Sequence, residues 1–364
     1  MSKRLSNFEL MRIVAMIMVV LGHCVLYTAQ DTEPYLGKLD ITGWMIKSFT
    51  IVAVNCYFIL TGYFAKSDYV RFKSIIILWI KTIIYSVVIY SFFLFLKIVV
   101  FDARSMLNYL FPVMTKQYWF IQTYIVVSMI APFLCKMVDN LNKHEHLFVM
   151  IVIIIFFSLH QTFIPIAKTL DTTQGYGIIS ACMLFIIGRW LKKYGDEYIS
   201  RINTICWFFL YILVSIMIFC TNYLIVRFSI AGGLASRGNF YAYNSITVVA
   251  SSVCLFCFFM TLKMKNDDYI FINYLGRNCV AAYLITGHPL LIGYLWTDIF
   301  RIQKYSYNTI VYVLTALFLS TISLFACVVI DKCLDNIMNR TLLTDKVNRI
   351  DKELNKFIFM SINK

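Results

Sequence analysis

The sequence predicts an all-α, polytopic integral membrane protein with about ten transmembrane helices, and three observations predict it. First, the 364 residues are 60% hydrophobic and only 14% charged, against about 45–50% and about 25% in a soluble domain. Second, the apolar residues come in long runs, such as 75–80 and 149–159 with their flanks. About 20 apolar residues in a helix cross about 30 Å of hydrocarbon. Third, Lys and Arg are shared unequally between the segments that separate these runs.

Taken in order, the runs place spans at 9–29, 43–65, 74–101, 118–138, 147–165, 176–193, 203–224, 242–263, 273–297 and 308–331. The third is long enough to tilt or to continue into an interfacial helix. With the N-terminus inside, the inner segments hold 21 of the 33 Lys and Arg and the outer segments hold 8. That asymmetry places both termini in the cytoplasm. Arg12, Lys47, Lys81 and Lys97 fall within spans. The chain divides into a transmembrane region over 1–332 and a charged cytoplasmic tail over 333–364, whose near-helical spacing suits the membrane surface. No removable signal peptide is expected.

The net charge of +14 is accounted for by inner loops, and no basic stripe interleaved with aromatics marks a nucleic-acid footprint. The 11 Cys are scattered through apolar stretches. Cys254 and Cys257 form a CxxC with no second pair and no nearby His, so packing accounts for them and no metal is expected. No loop is long enough to be a soluble catalytic domain. The chemistry therefore belongs in or at the membrane.

The first span reads FELMRIVAMIMVVLGHCVLYT and is interrupted by Glu9, Arg12 and His23. A charged group within a span costs about 2.5–3.5 kcal/mol on insertion scales and usually faces the protein interior. Arg12 and His23 are 11 positions apart, which puts them on one helix face about 16 Å apart along the axis. Arg12 then lies near the inner surface and His23 lies deeper. Snorkelling or an ion pair with Glu9 would also account for Arg12, and a core hydrogen bond for His23. Together they suit another pairing: a guanidinium fork for phosphate and a neutral imidazole to take a proton from a hydroxyl.

Four segments resemble the membrane-bound acyltransferase-3 family. Arg12, ten intervening residues and His23 resemble its first-span hallmark. The segment CYFILTGYF from Cys56 to Phe64 is similar to its second-span pattern, with the aromatic pair Tyr57-Phe58 and with Thr61 in place of the usual Ser. The basic residues that follow are Lys66, Arg71 and Lys73. Gln117-Tyr118-Trp119-Phe120, continuing to Tyr124 and Pro132, is similar to the aromatic opening of a central span. The run Tyr283 to Pro289 resembles a motif near the penultimate span, but Thr286 stands where a His is often found and His288 comes two residues later. The resemblance extends from about Asn7 to about Lys332.

The resemblance implies transfer of an acyl group, commonly acetyl from acetyl-CoA, to a hydroxyl of a cell-surface or lipid-linked glycan at a bacterial cell membrane. Arg12, with Arg71 and Lys73, would hold the phosphates of the donor. His23 would act as general base or carry the acyl group itself. Glu9, Thr61, Tyr118, Trp119 and His288 are supporting candidates, the last four of these also as donors to an oxyanion. Partners would be the glycan acceptor and membrane lipids, with a homo-oligomer left open. The competing reading is a transporter or flippase for lipid-linked oligosaccharide, although no internal repeat or paired Gly/Pro-interrupted spans are visible. Other polar features read as supporting structure. His144 and His146 suit a solvated turn. His160 and Gln161 suit a substrate entrance or a cap. The loop from Arg227 to Tyr243, with Gly232, Gly233 and Gly238, suits glycan contact. Trp44, Trp296 and Tyr307 read as interfacial anchors.

Overall fold

The computed structural model describes residues 5–29, 37–163, 173–228, 240–264, 269–340 and 343–360. Among these residues the regular structure is helical throughout, with no strand. The helices used below are α1 (Ser6–Thr28), α2 (Lys38–Thr50), α3 (Ala53–Phe64), α4 (Phe72–Phe95), α5 (Ala103–Leu110), α6 (Trp119–Asp139), α7 (Lys143–Ile154), α8 (His160–Phe163), α9 (Ile178–Ile199), α10 (Thr204–Arg227), α11 (Ile246–Thr261), α12 (Ile270–Asn278), α13 (Val280–Thr286), α14 (Pro289–Tyr294), α15 (Thr309–Arg340) and α16 (Leu343–Met360). The glycine-containing outer loop singled out above lies mostly outside the described residues.

Among the described residues, seven helical stretches are long and apolar enough to cross a membrane, or eight if one bent pair counts as a single span. The chain is a multi-pass membrane protein, and seven or eight of the ten expected spans meet this length and apolarity. Each shortfall has a physical reason. The sixth expected span falls on α9, whose second half carries Arg189, Lys192, Lys193, Asp196 and Glu197. The eighth falls on α11, an apolar helix of only 16 residues. The ninth is broken between Thr286 and Pro289 by a bend of 85°, since a residue preceding proline is disfavoured in helical conformation. The third ends at Phe95, and the separate helix α5 follows, capped by the Asp102 carboxylate accepting from Ser105 N–H.

Without a hydrophobic drive between helices in lipid, close packing and interhelical hydrogen bonds hold the bundle. A Cβ on Gly62 would stand 2.0 Å from the Phe185 carbonyl oxygen, and one on Gly188 2.1 Å from that of Ile59. The two glycines thus let α3 and α9 touch backbone to backbone in antiparallel register. The hydroxyls of Ser215 on α10 and Ser251 on α11 bond at 3.0 Å. Lys81 on α4 bridges Asp331 and Asp335 on α15, each at 2.7 Å, and Tyr85 Oη donates to the second Asp331 oxygen at 2.8 Å.

Other expectations change with burial. His146 is fully buried beside Tyr194 rather than in a solvated turn, because a capping box between Asn142 and Glu145 starts α7 at Lys143. Trp44 and Trp296 are fully buried in the bundle and are not interfacial anchors, whereas Tyr307 is exposed. The division at 332/333 falls inside α15. The tail beyond it folds back: on α16, Asp351 accepts from Tyr69 Oη and from Lys73 N–H, and Asn355 exchanges two hydrogen bonds with the Val70 backbone.

Candidate active site

The face of α1 that carries Met16, Val19 and His23 opens onto a cavity of about 340 Å³. Ladder spacing along the helix puts these residues on one stripe. The remaining walls come from α2 and α3, the start of α6, α13 and two connecting segments. Lys47, Tyr57, Trp119, Gln174, Tyr243 and Tyr283 all contribute. The connecting segments are tied together by Tyr243 N–H donating to the Gln174 carbonyl.

Aromatic rings brace one another around this space. Trp119 meets Tyr176 edge-on at 4.5 Å, Tyr176 meets Tyr243 at 5.1 Å, and Phe120 meets Tyr283 at 5.7 Å. The imidazole of His23 lies 6.0 Å from the Tyr283 ring. Its Nδ1 is buried and has no hydrogen-bond partner among the described residues. A buried polar atom left open in this way is costly, while the His23 side chain itself lines the cavity.

The break between α13 and α14 positions His23 from behind. Non-helical backbone at membrane depth is tolerated only where it is buried in protein or lines a cavity. Here several of the groups at the break find partners. Gly287 N–H donates to Tyr283 O, His288 N–H to Ile285 O, and Tyr118 Oη to Leu284 O at 2.9 Å. Gly287 itself packs against the catalytic candidate: a Cβ there would lie 3.3 Å from His23 Cε1 and 2.6 Å from the Tyr283 oxygen.

The nine expected site residues separate into distinct groups. His23 and Trp119 line the cavity. Tyr118 is fully buried behind it, with its hydroxyl committed to Leu284. Thr61 bonds back to the Tyr57 carbonyl at 2.8 Å, within its own helix. His288 is fully buried and caps α14: its Nδ1 accepts from Leu290 N–H, so Nε2 carries the proton and donates to Ser86 O at 3.2 Å. Its ring stacks on Tyr109. These bonds give His288 the work of holding the helix break rather than a place in the cavity.

Glu9 and Arg12 form an ion pair at 2.7 Å, one turn apart on α1 and beyond the Met16 end of the cavity. Tyr57 links this pair to His23. Its ring lines the cavity, and its hydroxyl donates to the Arg12 carbonyl at 2.8 Å. Arg71 is exposed and donates to Phe64 O, while the backbone of Lys73 is held by Asp351. Phe64 packs edge-on to Phe8 at 5.1 Å, so Arg71 reaches the same end of the bundle as Arg12. His160 and Gln161 do not line the cavity.

Two kinds of cavity residue were missed as candidates. Lys47 carries a signal that sequence alone could have used, since an ionisable residue within a span is a functional candidate by default. Gln174 carries none, because its meeting with Tyr243, the last residue of the loop read for glycan contact, depends on how two distant segments fold together. Among the described residues no three His, Cys, Asp or Glu side chains cluster as metal ligands would, and all eleven cysteines are free.

These features define a class: a multi-pass helical membrane protein with a histidine lining an aromatic cavity inside the bundle. The chain belongs to the acyltransferase-3 family, since residues 5–331 match the family described as an acyltransferase domain. It is therefore an acyltransferase. No curated protein and no solved structure matches the chain.

Proposed function

We propose that the protein transfers an acyl group, acetyl from acetyl-CoA, to a sugar hydroxyl of a cell-surface or lipid-linked polysaccharide. The observation that carries this reading is His23 lining an aromatic cavity within an acyltransferase domain. A mostly apolar pocket with a few placed polar groups suits a small organic substrate held in one orientation. The distribution of Lys and Arg supports cytoplasmic termini in a bacterial cell membrane.

In this reading the donor enters at the Arg12 end. A guanidinium has five N–H donors; one holds Glu9 and others remain for phosphate, with Arg71 and Lys73 nearby on the surface. The thin arm of the donor runs along α1 past Met16 and Val19, and the thioester comes to His23 about 16 Å further along the axis. His23 takes the proton of the sugar hydroxyl as its oxygen attacks the thioester carbon. The tetrahedral intermediate then collapses, the carbon–sulfur bond breaks, and the thiolate of CoA recovers the proton from His23. Sugar ester and free CoA are the products.

A second reading, a transporter or flippase for lipid-linked oligosaccharide, has one observation in its favour. The span broken by 85° at Gly287–His288 has the form that transporters use at their binding sites. The two readings separate in a gene deletion and a labelling assay. Acyl transfer predicts a glycan that is still made but lacks its ester. It also predicts alkali-labile label on glycan when wild-type membranes receive radiolabelled acetyl-CoA. Loss of the whole glycan would favour the flippase, and absence of label would exclude acetyl-CoA as donor.

A further inference from the structure

A second cavity, of about 270 Å³, is lined by Ser105, Asn108 and Tyr109 of α5, by Thr115 and Gln117 of the segment before α6, and by Pro289 at the start of α14. Positions three and four apart are neighbours on a helix, so the α5 residues share one face. The place of this cavity in the bundle follows from α4. That helix starts at Phe72, next to Arg71 and the Arg12 end, and its 24 residues rise about 36 Å before α5 follows. The cavity therefore lies toward the end of the bundle away from the entrance proposed for the donor.

It also adjoins the His23 cavity. Gln117 lines the one and Trp119 the other, with the buried Tyr118 between them. Pro289 lines the second cavity, and Gly287 packs against His23. Two residues span at most about 7 Å of chain, so adjoining units of one glycan can reach both spaces. The partition is fixed. Gln117 Nε2 donates to Ser86 Oγ at 3.1 Å, and His288 Nε2 donates to Ser86 O. The Tyr109 ring stacks on Tyr90 at 4.4 Å and on His288 at 5.2 Å.

Among the described residues that line this second cavity none is charged; aliphatic hydroxyls, two carboxamides and a phenol do the lining. Such groups offer donors and acceptors together, as the hydroxyls of a sugar ring require. The Tyr109 hydroxyl and the Asn108 carboxamide make no hydrogen bond to another described residue. The volume falls just below the about 300–1,000 Å³ of sites for drug-sized ligands and suits one sugar ring. We propose that this cavity holds one sugar unit of the acceptor through its hydroxyls while a neighbouring unit presents its own hydroxyl to His23. This rests on the acyl-transfer reading above and adds the class of acceptor: a chain of sugars rather than a single one. A unit fixed on Asn108 and Tyr109 also orients its neighbour, which sets the hydroxyl that reaches His23.

The test uses membranes holding wild-type protein or Asn108→Ala/Tyr109→Phe, with radiolabelled acetyl-CoA. Phenylalanine keeps the stacked ring and removes only the hydroxyl. The acceptor is surface polysaccharide from a strain lacking the gene, cut by mild acid and sized into single sugars and longer fragments. Per acceptor sugar, wild type should label longer fragments with a kcat/KM at least about tenfold above that for single sugars. The double variant loses two neutral hydrogen bonds, so its KM for longer fragments should rise about tenfold with kcat retained. The preference for length should shrink accordingly. Equal labelling of single sugars and longer fragments by wild type would overturn the proposal and leave acyl transfer standing. So would an unchanged preference in the double variant, or a loss that falls on kcat for both acceptors alike. If wild type labels no acceptor while the protein is present in the membrane, the acyl-transfer reading fails and this one with it.

Discussion

Replacing Lys81 with methionine removes the cation that joins α4 to α15 while keeping an apolar side chain of similar length. The wild-type ammonium is 12% exposed and bridges Asp331, 4% exposed, and Asp335, 39% exposed. Loss of one partner of a buried pair costs about 3–5 kcal/mol, because the remaining charge is left uncompensated. The bridge to the half-exposed Asp335 adds little, about 0–1 kcal/mol. Tyr85 still donates to Asp331, which favours the low end, so the expected loss is about 3 kcal/mol, or about a hundredfold in the folded ratio. Removing the orphaned carboxylate as well, in Lys81→Met/Asp331→Leu, should recover most of it. Heating the detergent-purified proteins and following the monodisperse fraction by size-exclusion chromatography measures this. Lys81→Met should lose its folded form several degrees earlier, with the double variant close to wild type. A single variant as stable as wild type, or a double variant less stable than the single, would refute the reasoning.

Three further outcomes follow from local geometry. Gly287→Val should reach the membrane at normal level yet lose most acyl transfer, because its side chain would press on His23 Cε1 and Tyr283 O; glycan ester content per unit of protein checks this. His288→Asn should retain stability better than His288→Ala, since an asparagine can accept from Leu290 N–H and a cap is worth about 1 kcal/mol; thermal inactivation in detergent compares them. Asp351→Ala removes the acceptor for Tyr69 Oη and Lys73 N–H. Limited proteolysis should then cut at Lys352 and Lys356 of α16 sooner than in wild type.

The helical class and most spans were legible because about 20 apolar residues in sequence are enough to specify a crossing. The break in the ninth span was partly legible, since proline at 289 restricts its predecessor, but a bend of 85° depends on partners such as Tyr118 and Ser86 that lie far away in sequence. Helix α9 was expected to span on its apolar first half; its charged second half takes it out of that class. The Arg12–Glu9 pair could be read from their spacing, and the structure contains it. The placement of His288 could not, because its two ring nitrogens are assigned by Leu290 and Ser86 rather than by any motif. Nor could the return of the tail, where one carboxylate finds Tyr69 across most of the chain.

His23 is the residue on which the account depends. The direct measurement is the acyl content of surface glycan from cells producing equal membrane levels of wild-type protein or His23→Ala. Mass spectrometry should find an alkali-labile acyl mass on the wild-type glycan and none above the deletion background on the variant. The same mass persisting at wild-type abundance in His23→Ala would contradict the assignment of His23 as the group that carries the reaction.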